Sequence, residues 1–218
     1  MSARRQRQMC IRDRQKVIKE LETVCHEDFI FASNTSSLPL TEMSKAAKKP
    51  ENVIGMHYFS PVPKMPLLEI IKTDQTSEET LATCYEIGKR QGKTCIVVND
   101  MPGFYVNRIL CPYLIEGLLM IEEGVRIEDI DGALTSLGMP IGPITLLDEV
   151  GIDVGAHVMS GNMAQLLKGR EGFKINYSMP KMFEAGLHGR KAKKGFYNYA
   201  MKKAVSYTHL RAHETTDN

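Results

Sequence analysis

The 218-residue sequence lacks the features that mark several large classes of protein. No stretch is long and apolar enough to cross a membrane, and no basic start followed by an apolar run marks a signal peptide. The five cysteines do not pair at the spacing of metal or redox motifs, which indicates a reducing compartment and no metal site. A formal net charge of +2 gives no reason to expect a nucleic-acid partner.

The two ends of the chain differ in character from the rest. Residues 1–14 and 205–218 contain runs that resemble the translation of a sequencing-library adapter, so we predict that neither segment is native. The alternative is a basic N-terminal arm and a polar tail. On the adapter interpretation, the rest of the chain is close to neutral and is a fragment of a longer protein. We expect both end segments to pack little against it.

The first half of the chain has the pattern of an α/β fold. Residues 15–99 predict the order αβαββαβ, with apolar strands at 29–32, 53–59, 67–71 and 94–98. This is the order of the second half of a doubly wound sheet. The chain contains no Gly-x-Gly-x-x-Gly sequence, the loop that opens the first half of a dinucleotide-binding fold. We therefore predict a partial Rossmann-type sheet, second half only.

A Pro- and Gly-containing linker at residues 100–104 separates this half from a helical one. A long apolar helix is predicted over residues 105–123. Shorter helices are predicted over residues 127–137, from residue 142, and over residues 154–167 and 178–185. The sequence thus predicts an all-α C-terminal domain over residues 105–200.

The sequence around His57 suggests chemistry. A short apolar strand is predicted to end at this histidine, and three prolines break the connection to a second apolar strand that carries Glu69. A hairpin-like return would bring Glu69 beside His57. A carboxylate behind an imidazole fixes its tautomer, so the pair can act as a general base near neutral pH. The alternative is a structural histidine with a glutamate that is nearby by chance.

Two further polar sites stand at predicted element ends. Residues 33–37, Ser-Asn-Thr-Ser-Ser, directly follow a buried strand, which is where open α/β sheets bind ligands. They are also good helix caps, so a simple turn is the alternative. Asn107, near the start of an apolar helix, is either a site residue or a satisfied core amide. The four residues predicted to converge in the cleft between the two halves are Ser36, His57, Glu69 and Asn107.

Several motifs in this chain resemble the 3-hydroxyacyl-CoA dehydrogenase family. The resemblance runs from residue 15 to about residue 199 and is highly specific, because the motifs occur in order at matching spacing. They are Ser-Asn-Thr-Ser-Ser at 33–37, Gly-Met-His-Tyr-Phe-Ser-Pro at 55–61, Leu-Leu-Glu-Ile at 67–70, Met-Pro-Gly-Phe-Tyr-Val-Asn-Arg at 101–108 and Gly-Phe-Tyr at 195–197. Within the family, the chain is most similar to the dehydrogenase part of the multifunctional α subunit of fatty-acid β-oxidation.

The resemblance implies NAD-dependent oxidation of a 3-hydroxyacyl-CoA to the 3-ketoacyl-CoA. On this basis His57 matches the family's catalytic base, and Glu69 matches the carboxylate that orients it and stabilises its charged form. Ser36 matches a serine that contacts the substrate and the nicotinamide end of the cofactor. Asn107 matches an asparagine that polarises the C3 oxygen of the substrate.

The resemblance also implies two weaker cofactor contacts. Asn34 shares the loop of Ser36 and is predicted with it to bind NAD. Lys191 falls near a family lysine that reaches the cofactor, but the residues after it, Ala-Lys-Lys, depart from the family's Thr-Gly pattern. Since the glycine loop has no counterpart, we expect the isolated chain to bind NAD poorly and to be a poor enzyme, although its parent should use NAD.

The resemblance finally implies partners and a location. The family dimerises through its helical domain, so we expect a homodimer or a place in a multienzyme β-oxidation complex. The expected compartment is the mitochondrial matrix in a eukaryote or the cytoplasm in a bacterium. Two other functions stay open: a non-catalytic substrate-binding or dimerisation module of the same fold, and a dehydrogenase for hydroxy acids that does not use CoA.

Overall fold

The structure is a computed structural model that describes residues 11–36, 38–160, 178–200 and 205–206. The chain divides into two compact units, residues 1–106 and residues 107–218. The first unit is built on a sheet, and the second consists mainly of helices. An α/β sheet followed by a helical domain is the fold class that the sequence predicts, and it is confirmed.

Among the residues that the structure describes in the first unit, the sheet has four strands in the order β1-β2-β3-β4. The strands are β1 (Phe31–Ser33), β2 (Val53–Tyr58), β3 (Leu67–Lys72) and β4 (Thr94–Asn99). The pairs β1–β2 and β3–β4 are parallel, whereas β2 and β3 are antiparallel. The antiparallel pair is the hairpin-like return that the sequence predicts, and its register places His57 opposite Glu69.

Helices cover both faces of this sheet. They are α1 (Ile11–Leu21), α2 (Leu40–Ser44) and α3 (Glu78–Arg90), and a 3-10 turn (Pro50–Asn52) precedes β2. The face towards α1 and α2 buries a cluster of Ile18, Leu40, Met43, Ile71 and Phe104. The face towards α3 buries a cluster of Ile54, Met56, Leu68, Ile70 and Cys84. Because side chains alternate along a strand, His57 and Glu69 lie on the α1 and α2 face.

Helix α1 begins four residues before the predicted start of the native chain. Ile11 is partly buried against the cluster that contains Ile18, since residues seven apart share a face of a helix. Arg14 Nη1 donates a hydrogen bond of 2.9 Å to Ser33 Oγ. The expectation that the N-terminal segment packs little against the rest is therefore wrong for residues 11–14. Residues 1–10 lie outside the described residues.

In the described residues of the second unit, five helices pack around an apolar core. They are α4 (Val106–Glu122), which begins at the last residue of the first unit, α5 (Ile127–Ser136), α6 (Pro143–Val150), α7 (Ile152–Ser160) and α8 (Ser178–Glu184). The core residues are Leu118, Ile127, Ile130, Ile144, Leu147, Ile152, Met179, Met182, Phe196 and Tyr197. The predicted helical residues 161–167 lie outside the described residues.

A short antiparallel ribbon follows the helices, so the prediction of helices alone after the linker is wrong. Strand β5 (Tyr197–Asn198) pairs with β6 (Val205–Ser206), after a 3-10 turn at Arg190–Ala192. The predicted lack of packing at the C-terminal end is likewise wrong for the backbone of residues 205–206. Residues 207–218 lie outside the described residues.

Two buried carboxylates hold this returning segment in place. Asp131 accepts hydrogen bonds of 2.8 and 2.9 Å from two backbone amides in the first turn of α6, and one of 3.0 Å from the Tyr197 hydroxyl. Asp148 accepts from the amides of Phe196 and Tyr197, both at 2.9 Å, and from the Tyr199 hydroxyl. Burial raises the pKa of Asp148, and these hydrogen bonds oppose that rise. The Gly-Phe-Tyr motif is thus a structural element of the second unit.

We predict that Gly195→Ala destabilises the second unit. A Cβ at Gly195 would overlap the Asp148 carboxylate and lie 2.7 Å from the Cα of Gly189. Overpacking of this kind should lower the free energy of unfolding by about 2 kcal/mol. The matched control is Gly132→Ala in α5, where a Cβ meets nothing within 4 Å, so stability should stay unchanged or rise by about 0.5 kcal/mol. Urea unfolding of both variants would contradict the account if the two changes had equal effects.

Candidate active site

The side chain of His57 is held from behind by Glu69. His57 Nδ1 lies 2.6 Å from Glu69 Oε2, and the two residues are 7% and 0% exposed. Because a carboxylate only accepts hydrogen bonds, Nδ1 carries the hydrogen of the neutral ring and Nε2 keeps its lone pair. The structure therefore brings together the pair that the sequence predicts. It orients the imidazole as a proton acceptor at Nε2.

The second oxygen of Glu69 is occupied as well. Glu69 Oε1 accepts from the backbone amides of Tyr105 at 3.0 Å and Val106 at 2.9 Å. One buried carboxylate thus receives three hydrogen bonds, which offset the cost of removing its charge from water. Glu69 fixes the turn at the start of α4 with one oxygen and holds Nδ1 of the imidazole with the other.

Two aromatic rings contact the imidazole, and neither is among the site residues predicted from the sequence. The ring centroid of His57 lies 4.6 Å from that of Phe59 and 5.8 Å from that of Phe104. Phe104 is 5% exposed and has a backbone φ of 48°. For a residue other than glycine this left-handed conformation costs about 1–3 kcal/mol. Both phenylalanines lie within the motifs that carry the family resemblance. Those motifs were the signal in the sequence that could have identified them.

The loop after β1 carries Asn34 and Ser36. Asn34 Oδ1 accepts a hydrogen bond of 3.1 Å from the Tyr58 amide, and Thr35 Oγ1 accepts one of 2.9 Å from the Leu38 amide. The first bond fixes the loop beside Tyr58, which ends β2 and directly follows His57. The second stabilises the turn within the loop. Ser36 is exposed in this loop. The sequence predicts a cofactor contact for Asn34 but not this bond to the backbone. Ser37 lies outside the described residues.

The other two predicted site residues belong to the second unit. Asn107 is the second residue of α4 and is partly buried. Lys191 lies in the 3-10 turn, where its Nζ is 2.6 Å from Asp153 Oδ2. The neighbouring Arg190 pairs in the same way with Glu149. The convergence of Asn107 with the three residues of the first unit stays a prediction.

The described ranges also bear on other kinds of site. Within them, no three side chains of His, Cys, Asp or Glu form a group that could hold a metal ion. Over the same ranges, the helices are too short or too polar to span a membrane. Four cysteines in these ranges, Cys25, Cys84, Cys95 and Cys111, form no disulfide.

Comparison with models of protein families shows which family this chain matches. Residues 11–101 match the family model described as 3-hydroxyacyl-CoA dehydrogenase, NAD binding domain. Residues 103–199 match the model described as 3-hydroxyacyl-CoA dehydrogenase, C-terminal domain. The chain belongs to the 3-hydroxyacyl-CoA dehydrogenase family. The resemblance seen in the sequence is confirmed, and the enzymes of this family are oxidoreductases that act on a CH–OH group with NAD.

Relatives and solved structures agree with this assignment. The fatty acid oxidation complex subunit alpha of Shewanella oneidensis is 50% identical over 196 residues, which are 88% of this chain and 27% of that protein. M. tuberculosis FadB2 superposes with a TM-score of 0.82 at 35% identity, covering 88% of this chain and 68% of that one. For the (S)-3-hydroxybutyryl-CoA dehydrogenase PaaH1 of Ralstonia eutropha, the TM-score is 0.79 at 37% identity, covering 85% and 66%. The chain spans about a quarter of the length of the curated relatives it matches.

We predict that Glu69→Ala strongly destabilises the first unit. The change leaves two backbone amides and a buried imidazole without their acceptor, which should cost about 3 kcal/mol. The matched control is Glu86→Ala, because Glu86 is exposed and pairs only at the surface with Lys89, at 3.3 Å. That variant should change stability by at most about 0.5 kcal/mol. Similar urea midpoints for the two variants would show that Glu69 has no such role.

Proposed function

We propose that the protein carrying this chain oxidises a 3-hydroxyacyl-CoA to the 3-ketoacyl-CoA with NAD, as a step of fatty-acid β-oxidation. The observation that carries this proposal is the buried contact of Glu69 with His57 Nδ1 in a chain of this family. The names of the Shewanella relative and the Ralstonia neighbour support it, because the first refers to fatty acid oxidation and the second to a short 3-hydroxyacyl-CoA.

In this reaction His57 Nε2 accepts the proton of the substrate's C3 hydroxyl. The imidazolium that forms keeps its Nδ1–H on Glu69 Oε2 and is stabilised by that charge. Glu69 Oε1 continues to accept its two backbone amides, which keeps the carboxylate in place during the proton transfer. Glu69 is therefore the positioning residue, and His57 is the group that exchanges the proton.

When bound, NAD supplies the acceptor for the hydride that leaves C3. The loop after β1 stands at the carboxyl end of the parallel pair β1–β2, where α/β folds bind nucleotides. Ser36 is exposed in this loop, which supports a contact of this residue with the nicotinamide end of the cofactor. We further propose that Asn107 polarises the C3 oxygen and that Asn34 and Lys191 contribute to the cofactor site. The pyrophosphate would need a glycine loop from outside these 218 residues.

The proposed partners follow from the same relatives. The fatty acid oxidation subunits are parts of a complex by name, which supports a multienzyme assembly for this protein. A homodimer through the second unit is the finer proposal. It is supported by apolar residues that α4 exposes, Ile109 at 56% and Met120 at 37%. We place the protein in the cytoplasm of a bacterium or the mitochondrial matrix of a eukaryote. Analytical ultracentrifugation that finds only monomer would remove the homodimer.

The activity is best tested in a chimera, in which residues 15–199 replace the matching part of the Ralstonia enzyme. We predict NADH formation from (S)-3-hydroxybutyryl-CoA and NAD. Free 3-hydroxybutyrate should give no comparable rate, whereas a dehydrogenase that does not use CoA would prefer it. A folded chimera without activity on either compound would favour a non-catalytic module.

Variants of the chimera test the roles within the pair. We predict that His57→Gln lowers kcat by roughly two to four orders of magnitude, because the proton acceptor is lost. Glu69→Gln should also act mainly on kcat. The glutamine amide has one oxygen, which accepts hydrogen bonds, and one NH2 group, which donates them. The NH2 group must therefore face either His57 or the two backbone amides, where the native carboxylate places an acceptor. In the first case the hydrogen moves to Nε2, which can no longer accept a proton.

The double variant should lose no more than the worse single variant, because both changes disable one unit. Ser36→Ala should mainly raise KM, since its proposed role is binding. A Glu69→Gln chimera with unchanged kcat and an unchanged pH profile would remove Glu69 from the mechanism.

A further inference from the structure

The hydrogen bond to Glu69 does not by itself fix the plane of the imidazole. It holds Nδ1 in place, but the terminal torsion of a histidine has a broad energy well. Rotation of the ring about the Nδ1 contact would change the direction in which Nε2 points. Something else must therefore set the direction in which Nε2 points.

Two rings contact the imidazole, and Phe104 is the more firmly held of them. Phe104 is 5% exposed, whereas Phe59 is only partly buried. The Phe104 side chain belongs to the apolar cluster between the sheet and helices α1 and α2. Its centroid lies 5.8 Å from that of His57, with the ring planes inclined by 59°. The Phe104 ring therefore gives the imidazole a rigid surface to pack against.

The backbone at Phe104 indicates that the ring is needed there. Both Gly103 and Phe104 have positive φ, 74° and 48°. A glycine at position 104 would adopt this turn without strain. The next two amides, of Tyr105 and Val106, donate to Glu69 Oε1, so a single turn fixes both the carboxylate and the ring.

We propose that Phe104 is a positioning residue for His57: its ring fixes the imidazole plane so that Nε2 faces the substrate hydroxyl. The proposal rests on the proposed function, because it concerns the direction of the same base. The competing explanation is that Phe104 only fills the core. If Phe104 only filled the core, its replacement would lower stability and would loosen the imidazole and the surrounding turn to the same extent.

The first test needs no catalysis and uses the 218-residue chain. Nuclear magnetic resonance measures the exchange with water of the His57 Nδ1 proton and of the Tyr105 and Val106 amides, with His57→Gln to assign the imidazole signal. In Phe104→Gly we expect the imidazole proton to exchange at least about tenfold faster. The two amides should change by less than about threefold, because glycine keeps the turn.

Further variants keep this test decisive. Phe104→Leu keeps the apolar volume without the flat ring and should also speed exchange of the imidazole proton, even if the glycine variant does not fold. The matched control is Phe183→Gly, at a phenylalanine–histidine ring pair of the second unit, where the ring centroids of Phe183 and His188 lie 5.2 Å apart. It should leave the His57 signal unchanged. Unchanged imidazole exchange in the Phe104 variants, or an equal rise at the imidazole and both amides, would overturn the proposal.

The second test measures kinetics in the chimera with the Ralstonia enzyme. Phe104→Leu should lower kcat roughly tenfold with KM within about twofold, because a misdirected base slows the chemical step more than binding. Phe104→Tyr, which keeps the ring plane, should restore most of kcat. A rise in KM alongside the fall in kcat, without rescue by tyrosine, would count against positioning. An inactive chimera with Phe104 intact would contradict the proposed function, and the exchange measurement would still decide the role of Phe104.

Discussion

The carboxylate of Glu69 is the group on which the arrangement of the first unit depends. It is fully buried and accepts three hydrogen bonds, one from His57 and two from the backbone at the start of α4. A buried charge is tolerable only when it is satisfied in this way. The antiparallel pairing of β2 and β3 places it opposite His57. One side chain therefore connects the β2–β3 pair, the turn at the start of α4 and Nδ1 of the imidazole.

The second unit uses the same physical device for a structural purpose. Asp131 caps the start of α6, and Asp148 binds the amides of residues 196–197. Gly142 and Gly195 leave room for these two carboxylates, because a Cβ at either position would overlap one of them. The Gly-Phe-Tyr motif, which contributed to the family resemblance, is explained here by packing around Asp148. Family likeness in this unit therefore does not by itself indicate a contact with the substrate.

The sequence predicts those parts of the structure that depend on local patterns. The succession of strands and helices along the first unit and the contact of His57 with Glu69 follow from apolar runs and a Pro-broken return. The amides that bind Glu69 and the ring of Phe104 come from residues more than thirty positions away, which no periodicity reports. The helix start at Ile11 was missed because the segment was assigned by its likeness to an adapter. Asn34 shows a related limit, because a polar loop residue can hydrogen-bond to the backbone as readily as it can bind a ligand.

The central claim is that Glu69 holds the neutral imidazole of His57 with its hydrogen on Nδ1 and its lone pair on Nε2. The most direct test is the nitrogen-15 chemical shifts of both ring nitrogens in the folded chain, at a pH where the ring is neutral. The account predicts a protonated Nδ1 coupled to its hydrogen and an unprotonated Nε2. A spectrum in which Nε2 carries the hydrogen, or in which the two tautomers exchange in similar amounts, would contradict it.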